Sequence, residues 1–202
     1  MTKLKGILLT QGMHGMISQV EGLAKALEIE FTHHKVELNN FWNLLPPKFT
    51  PVSQNVYKKI DHLDFDIIIS CGRKSVIPSL ALKKKYKEKI FTIHIQDPKV
   101  SLDKFDLIVC PEHDNITGNN VIKTTGAIHY LSEKEISKEN NYLKIDKENK
   151  KIIAFIIGGP NKYYNFSEKE IDFLFNKIKS IFTRDKYKLV VIPSYRLSLI
   201  HI

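Results

Sequence analysis

The chain has 202 residues, of which 43% are hydrophobic and 26% charged, and its formal net charge is +9. This length suits one large α/β domain or two small ones, and the composition excludes a fully disordered chain. Only two cysteines occur, Cys71 and Cys110, which excludes a disulfide scaffold and favours a reducing compartment. Since no apolar run approaches the roughly 20 residues that span a bilayer, and no signal peptide is recognisable, we expect a cytoplasmic protein.

Lysine supplies almost all of the positive charge, because only three of the 31 basic residues are arginine. Proteins that read nucleic acids commonly use arginine for bases and phosphates, so we expect no nucleic-acid partner. The densest basic run covers residues 83–89, at the end of a predicted helix. We interpret it as a solvated helix end, and contact with an anionic membrane surface is the alternative.

Short apolar runs alternate with amphipathic stretches, a pattern typical of βαβ units with a parallel sheet. The runs that predict strands cover residues 4–10, 34–38, 66–70, 90–95, 105–110 and 121–124. Apolar residues three and four positions apart predict helices over 16–29 and 74–85. The proline-rich segment 39–51 is predicted to be a loop or short helix that packs on its neighbours.

A strongly charged stretch over residues 132–151 interrupts this pattern and predicts a linker or an exposed helix. The alternation then restarts with a strand over 152–157, a helix over 167–182 and a strand over 188–192. Ser167, followed three residues later by Glu170, predicts a capping box at the start of that helix.

We therefore predict an α/β protein with a Rossmann-like, doubly wound and mostly parallel sheet, followed by the start of a second Rossmann-like domain. The first domain is predicted over residues 1–140, the linker over 141–150 and the second domain over 151–202. One strand–helix–strand unit buries little core by itself, so we expect the chain to be an N-terminal fragment of a longer protein.

Polar or glycine-rich turns follow the predicted strands, and open α/β sheets bind ligands at the carboxyl ends of their strands. The first turn contains Gly12, His14 and Gly15. Its glycines permit close backbone approach, and the following helix N-terminus favours an anion. His14 could act as a general base. Because the turn is neither GxGxxG nor a P-loop, an ordinary βα turn is the alternative.

The next two turns carry a cation and a carboxylate. Arg73, directly after Gly72, could clamp a phosphate or carboxylate, or it could cap a neighbouring carbonyl. Gln96 and Asp97 precede a proline that holds Asp97 in an extended conformation. Asp97 could orient a base or bind hydroxyls, or it could only form the turn.

The last turns combine acidic, basic and amide side chains. Glu112, His113 and Asp114 form a candidate acid–base cluster. We predict no metal site there, because adjacent residues rarely point at one ion. Gly158, Gly159 and Asn161 could receive a phosphate or a sugar ring against bare backbone, with a plain turn as the alternative.

Seven blocks in this order resemble the mitochondrial fission "elongated mitochondria" family over about residues 4–196. They read Gln-Gly-Met-His-Gly, Cys-Gly-Arg-Lys, Ile-Gln-Asp-Pro-Lys, Cys-Pro-Glu-His-Asp, Thr-Thr-Gly-Ala-Ile-His, Ile-Gly-Gly-Pro-Asn-Lys and Pro-Ser-Tyr-Arg. Bacterial members of the family are labelled nucleoside-diphosphate-sugar epimerases or glycosyltransferase-like proteins, and the lysine-rich composition favours a bacterial source here. The chain departs from the family at Gln11, where an acidic residue is frequent, and at Tyr195, where the family has arginine.

The resemblance implies a GT-B-like architecture, in which the first domain binds an acceptor and the second binds a nucleotide sugar. It implies metal-independent transfer of the sugar to a cell-surface glycan or lipid, without a cofactor. His14 or His113 would be the base, oriented by Asp97, Glu112 or Asp114. The residues expected to contact substrates are Gly12, Gly15, Gly72, Arg73, Gln96, Gly126, Gly158, Gly159, Asn161, Ser194 and Arg196.

Two other functions stay open. One is a non-catalytic membrane adaptor on the same fold, with a fission-type role at the inner face of a membrane. The lysines of 83–89 and the aromatics around Trp42 favour it. The other is the epimerase activity of the family label, which would need an NAD-binding GxGxxG motif that the sequence lacks.

Overall fold

Two parallel sheets organise the chain, one in each of two compact units that cover residues 1–136 and 137–202. The structure is a computed structural model, and it describes residues 3–60, 64–86, 89–138, 149–159, 167–182 and 186–193. Most of the predicted linker lies outside these residues. None of the helices in the described ranges is long and apolar enough to cross a membrane.

The first unit is built around six parallel strands in the order β2-β1-β3-β4-β5-β6. The strands are β1 (Lys5–Thr10), β2 (Glu30–Lys35), β3 (Ile67–Cys71), β4 (Phe91–Ile95), β5 (Leu107–Pro111) and β6 (Val121–Thr124). Its described helices are α1 (His14–Ala26), α2 (Asn40–Leu44) and α3 (Val76–Tyr86), and α4 (Glu133–Lys138) starts in this unit and ends just past its boundary. This arrangement confirms the predicted Rossmann-like α/β fold.

The central strands are apolar on both faces, because helices and loops cover both sides of the sheet. On one face, Leu8 and Ile69 pack with Val20 of α1. On the other, Leu9 and Ile68 pack with residues at the end of α3. Burial of one such aliphatic side chain contributes roughly 1.5–3 kcal/mol, so this core fixes the strand ends that carry the candidate site.

The prediction was wrong about the boundary between the first helix and the second strand. The helix ends at Ala26 and not at residue 29, because Glu28 adopts φ +54° and the N–H of Ile29 donates to the carbonyl of Ala24. The strand β2 starts directly after this reversal, so the range 34–38 was placed about four residues too late.

The segment 39–51 contains α2 and a short 3₁₀ turn, Pro47–Phe49, as the prolines predicted. Trp42 packs against a cluster that includes Tyr57 and Ile77 of α3. The segment thus lies on the α3 side of the sheet, and it starts at the carboxyl end of β2.

The second unit contains β7 (Lys151–Ile157), α5 (Glu168–Ile181) and β8 (Tyr187–Pro193), and its two strands are parallel. Phe155, Ile157 and Val191 pack on α5 through Ile171 and Phe175. The predicted capping box is confirmed: Ser167 Oγ accepts a hydrogen bond from the Glu170 N–H, and Glu170 Oε2 accepts one from the Ser167 N–H.

Candidate functional site

The carboxyl ends of six parallel strands form one edge of the first unit, and the turns after five of them carry the predicted site residues. We call this edge the carboxyl edge. The chain leaves β1 toward β2 on one side, while β3 lies on the other side, so the strand order reverses between β1 and β3. Ligands of open α/β sheets bind at such a switch point.

The turns after β1 and β3 touch at the switch point. A Cβ atom built on Gly72 would lie 2.7 Å from the side chain of Met16 and 2.9 Å from Gln11 Nε2. Gly72 has φ +89° and Gly12 has φ +84°, conformations that side-chain-bearing residues adopt only with strain of about 1–3 kcal/mol. The positive φ angles therefore favour glycine at both predicted positions.

Arg73 and His14 also belong to this junction. The Arg73 side chain is exposed, and its Nη2 donates to the backbone carbonyl of Asn43 at 3.1 Å. This contact is of the kind expected if Arg73 caps a neighbouring carbonyl. His14 is exposed as the first residue of α1, beside the Gly12 turn. At the next residue, Gly15, a Cβ atom would have no other atom within 4 Å. The prediction that a ligand contacts these residues stays a prediction.

The Asp97 carboxylate is held by hydrogen bonds within a tight turn after β4. Its Oδ1 accepts from the Lys99 N–H at 2.8 Å, and Oδ2 forms a 2.5 Å ion pair with Lys99 Nζ. Burial raises the pKa of this carboxyl, but the hydrogen bonds and charge of Lys99 outweigh burial and leave the pKa below its ordinary value. Asp97 is thus an ionised hydrogen-bond acceptor. Gln96, with φ +82°, stores backbone strain directly before it.

The cluster after β5 forms a single 3₁₀ turn, Glu112–Asp114. His113 Nε2 lies 3.8 Å from Asp114 Oδ1, and 79% of the His113 side chain is exposed. Glu112 is exposed as well. The structure therefore pairs the imidazole with one of its two neighbouring carboxylates, on the surface of the carboxyl edge.

Three residues that the sequence did not single out form a connected series beside the end of β1. Thr10 Oγ1 lies 2.8 Å from His33 Nε2 and accepts a hydrogen bond from the Gly12 N–H at 3.0 Å. His33 Nδ1 lies 3.9 Å from Glu21 of α1. Burial lowers the pKa of His33, and the charge of Glu21 opposes that shift only in part. This carboxylate–imidazole–hydroxyl series holds the Gly12 turn, and only the tertiary fold brings its members together.

His94 lies fully buried behind the Asp97 turn. Its Nδ1 is 2.9 Å from Ser70 Oγ of β3, its ring packs on Phe105, and its Nε2 has no partner among the described residues. Burial lowers the pKa of His94 to about 3, so the ring is neutral at physiological pH. Nothing in the sequence marked His94 as a site residue, because it lies within the apolar strand β4.

The thiols do not supply a nucleophile at the carboxyl edge. Cys71 and Cys110 are both buried. Burial raises the pKa of Cys71 to about 12 and, with help from Asp114, raises that of Cys110. Both are neutral at pH 7, when a nucleophilic cysteine needs to be a thiolate. In the described part of the chain, no group of three or more His, Cys, Asp or Glu side chains is arranged to hold a metal ion.

The remaining predicted residues fall in three places. Gly126 follows β6 at the carboxyl edge, where Thr124 Oγ1 donates to its carbonyl at 2.7 Å. Gly158 and Gly159 follow β7 in the second unit, and Gly158 has open space at its Cα. Asn161, Ser194 and Arg196 lie outside the described residues.

Comparison with known proteins finds a matching family and distant relatives. A family model described as "Mitochondrial fission ELM1" matches residues 14–198. An uncharacterized protein of Rickettsia prowazekii (strain Madrid E) is 28% identical, over 59% of this chain and 42% of its own length. The mitochondrial fission protein ELM1 of Arabidopsis thaliana is 26% identical, over 36% of this chain and 22% of its own length.

No solved structure matches the chain. The chain spans less than half the length of either curated relative. The family match itself covers most of the chain and includes every described turn of the carboxyl edge except the first residues after β1. The chain therefore belongs to the Mitochondrial fission ELM1 family.

Proposed function

We propose that the whole protein transfers a sugar from a nucleotide sugar to a hydroxyl group of a glycan or lipid. In this proposal the first unit binds the acceptor, and the second unit contributes Gly158, Gly159 and Asn161 to the donor site. The observation that carries it is the junction of Gly12 and Gly72 at the switch point. There the Gly72 turn lies against Gln11 and Met16, and Arg73 together with the N-terminus of α1 favours an anionic or polyhydroxylated ligand.

The proposal gives the polar side chains at this edge distinct roles. His14, exposed beside the Gly12 turn, is the first candidate for removing the proton from the acceptor hydroxyl. His113 with Asp114 is the second candidate base. The ionised Asp97 accepts hydrogen bonds from acceptor hydroxyls, because Lys99 holds it in the charged form. Arg73 binds an anionic group, and Ser194 and Arg196 contact the donor diphosphate. No metal or cofactor takes part.

Calorimetry and a transfer assay on the full-length Rickettsia prowazekii relative test this proposal. We expect binding of one UDP- or GDP-sugar, and we expect the substitution equivalent to Gly72→Val to abolish transfer. The substitution equivalent to Lys134→Ala, on exposed α4, is the matched control and should leave transfer unchanged. If the folded protein binds no nucleotide sugar, the assignment of a donor site is wrong.

A membrane adaptor is the second candidate, and a separate observation favours it. Phe41, Leu44 and Phe49 project from the α2 segment with 64%, 79% and 67% of their surface exposed, and exposed apolar patches mark interaction surfaces. The Arabidopsis thaliana relative carries the name of a mitochondrial fission protein. The lysines at the end of α3 lie near the amino ends of β4 and β5.

Co-sedimentation with vesicles that contain anionic lipid tests the adaptor candidate. The triple variant Phe41→Ser, Leu44→Ser, Phe49→Ser should lose binding, because apolar insertion supplies much of the affinity. The variant Leu131→Ser, Ile136→Ser changes exposed apolar residues of the α4 region and serves as the control. Unchanged sedimentation of the triple variant, at low and at high salt, would remove this candidate.

A further inference from the structure

An open cleft of about 1200 Å³ lies at the amino end of β4, on the edge of the sheet opposite the carboxyl edge. The end of α3, the start of β4 and the turn before β5 enclose it. Its volume exceeds the roughly 300–1,000 Å³ of common small-molecule sites. None of the predicted site residues lines it, so it is separate from the candidate site.

The floor of the cleft is apolar. Leu80 and Ile90 are almost fully buried beneath it, and Val52 and Tyr86 form its walls. Phe91, at the first position of β4, has 48% of its surface exposed. A strand that starts with an exposed aromatic side chain inside a cleft offers a surface that a hydrocarbon chain would cover.

The rim of the cleft is cationic. Four lysines line it, Lys83, Lys84, Lys89 and Lys104. Lys83 is already paired, because its Nζ lies 2.8 Å from Asp106 Oδ1. Among the described residues, the other three ammonium groups have no carboxylate within ion-pair distance. The rim therefore keeps positive charge that a ligand can neutralise.

The two carboxylates at the cleft are engaged by other groups. Asp106 Oδ2 accepts from the N–H and the hydroxyl of Thr92, at 2.8 and 2.7 Å, while Oδ1 accepts from Lys83. Asp66 accepts from the N–H of Lys5. With Asp106 saturated by donors, its repulsion of an anion at the rim is weakened.

We infer that this cleft binds a free amphiphile with one hydrocarbon chain and one acidic head group. The chain would lie on Phe91 and the buried floor, and the head group would lie between Lys84, Lys89 and Lys104. A free molecule suits the site, because the lysines and the apolar residues line one common cleft. This inference goes beyond the proposed function and does not depend on it.

Isothermal titration of the 202-residue chain with dodecyl phosphate, below its critical micelle concentration, tests the inference. We expect saturable binding of one molecule. Inorganic phosphate has the acidic head group alone, and dodecyl maltoside has the same chain on an uncharged head group, so each should bind at least tenfold more weakly. The affinity for dodecyl phosphate should fall as ionic strength rises, because the lysines are exposed to solvent.

Three variants locate the site. Lys84→Gln with Lys104→Gln removes the rim charge and should weaken binding of dodecyl phosphate at least tenfold. Phe91→Ser should weaken it by a similar factor without changing the response to inorganic phosphate. Lys48→Gln with Lys134→Gln makes the same charge change at exposed lysines outside the cleft, and should bind like the wild type. Circular dichroism checks that each variant is folded.

Three outcomes would overturn the inference. The first is the absence of binding to dodecyl phosphate by the folded wild-type chain. The second is equal weakening by the cleft and control lysine variants, which would indicate general charge attraction. The third is binding to vesicles of anionic phospholipid, sensitive to Lys84 and Lys104, without binding to the monomeric amphiphile. That result would assign the lysines to a membrane surface.

Discussion

His94 makes the stability of the first unit depend on pH. Its ring is fully buried between Ser70 and Phe105, and its pKa is lowered to about 3 by burial. In the unfolded chain the same ring has an ordinary pKa near 6.5. Below pH 6.5 the unfolded state therefore takes up a proton that the folded state does not, and stability falls until the pH approaches 3.

We expect His94→Phe to flatten this pH dependence. Phenylalanine keeps the contact with Phe105 and cannot be protonated, whereas the wild type loses up to about 1.4 kcal/mol per pH unit between pH 6.5 and the lowered pKa. Urea unfolding at pH 7.5, 6 and 4.5 measures the difference between the two proteins. The same fall in both proteins would show that His94 does not carry the effect.

Thr10 is expected to stabilise the Gly12 turn through its hydroxyl group. Thr10→Val keeps the shape but leaves the Gly12 N–H and His33 Nε2 without their partner, at a cost of about 1–3 kcal/mol. Thr10→Ser keeps the hydroxyl and loses one methyl group, so it is the matched control and should cost less. Denaturant unfolding at pH 7.5 measures both, and a smaller loss for Val than for Ser would contradict the assigned role.

Some residues of the candidate site could be predicted from the sequence, and others could not. Gly12, Gly72 and Asp97 were selected because turn residues at strand ends have a local signature. His33 was not selected, because its partners Thr10 and Glu21 belong to other elements and the contacts exist only after folding. A tertiary hydrogen bond of this kind leaves no periodic pattern in the chain.

At the scale of elements, strong local signals gave accurate boundaries. The predicted β6 agrees with the structure at both ends, and α5 differs by one residue at each end because its cap and amphipathic repeat are local. The strand β2 was misplaced because Glu30–Lys35 is polar, at an edge of the sheet where burial is partial. Its position is set by pairing with β1, which the sequence does not encode locally.

The cap of α5 is the element-level feature that is easiest to test. Ser167→Ala removes the acceptor for the Glu170 N–H and should destabilise the second unit by about 1 kcal/mol. Hydrogen exchange of the amides in the first turn of α5 should accelerate accordingly. Ser167→Asp retains a capping oxygen and should preserve protection, and equal exchange in both variants would argue against the cap.

At the scale of the whole molecule, one face of the β7–β8 sheet carries apolar side chains that are exposed among the described residues. Alternate residues of β7 and β8 turn away from α5, and three of them, Ile152, Ile156 and Ile192, are exposed, Ile156 by 73%. Apolar strand surfaces of this kind promote association between chains.

We expect Ile152→Thr with Ile156→Thr to raise the solubility of the 202-residue chain and to shift its sedimentation toward the monomer. Threonine keeps β-propensity, so the free energy of unfolding should change by less than about 1 kcal/mol. Phe155→Thr, on the face packed against α5, is the control and should destabilise the unit. A loss in the double variant as large as in the control would show that the exposed face is covered in solution.

The position of β1 between β2 and β3 has a kinetic consequence. Its pairing with β3 joins residues 61 positions apart, as in the hydrogen bond from Lys5 to Asp66. At 5–20 residues per second, a ribosome needs about 3–12 s to make the intervening chain. For that time Ile7, Leu8 and Leu9 have a partner only on the β2 side. Folding of the sheet during synthesis is thus delayed by its topology, and the nascent N-terminal segment is a natural client for chaperones that bind apolar strands.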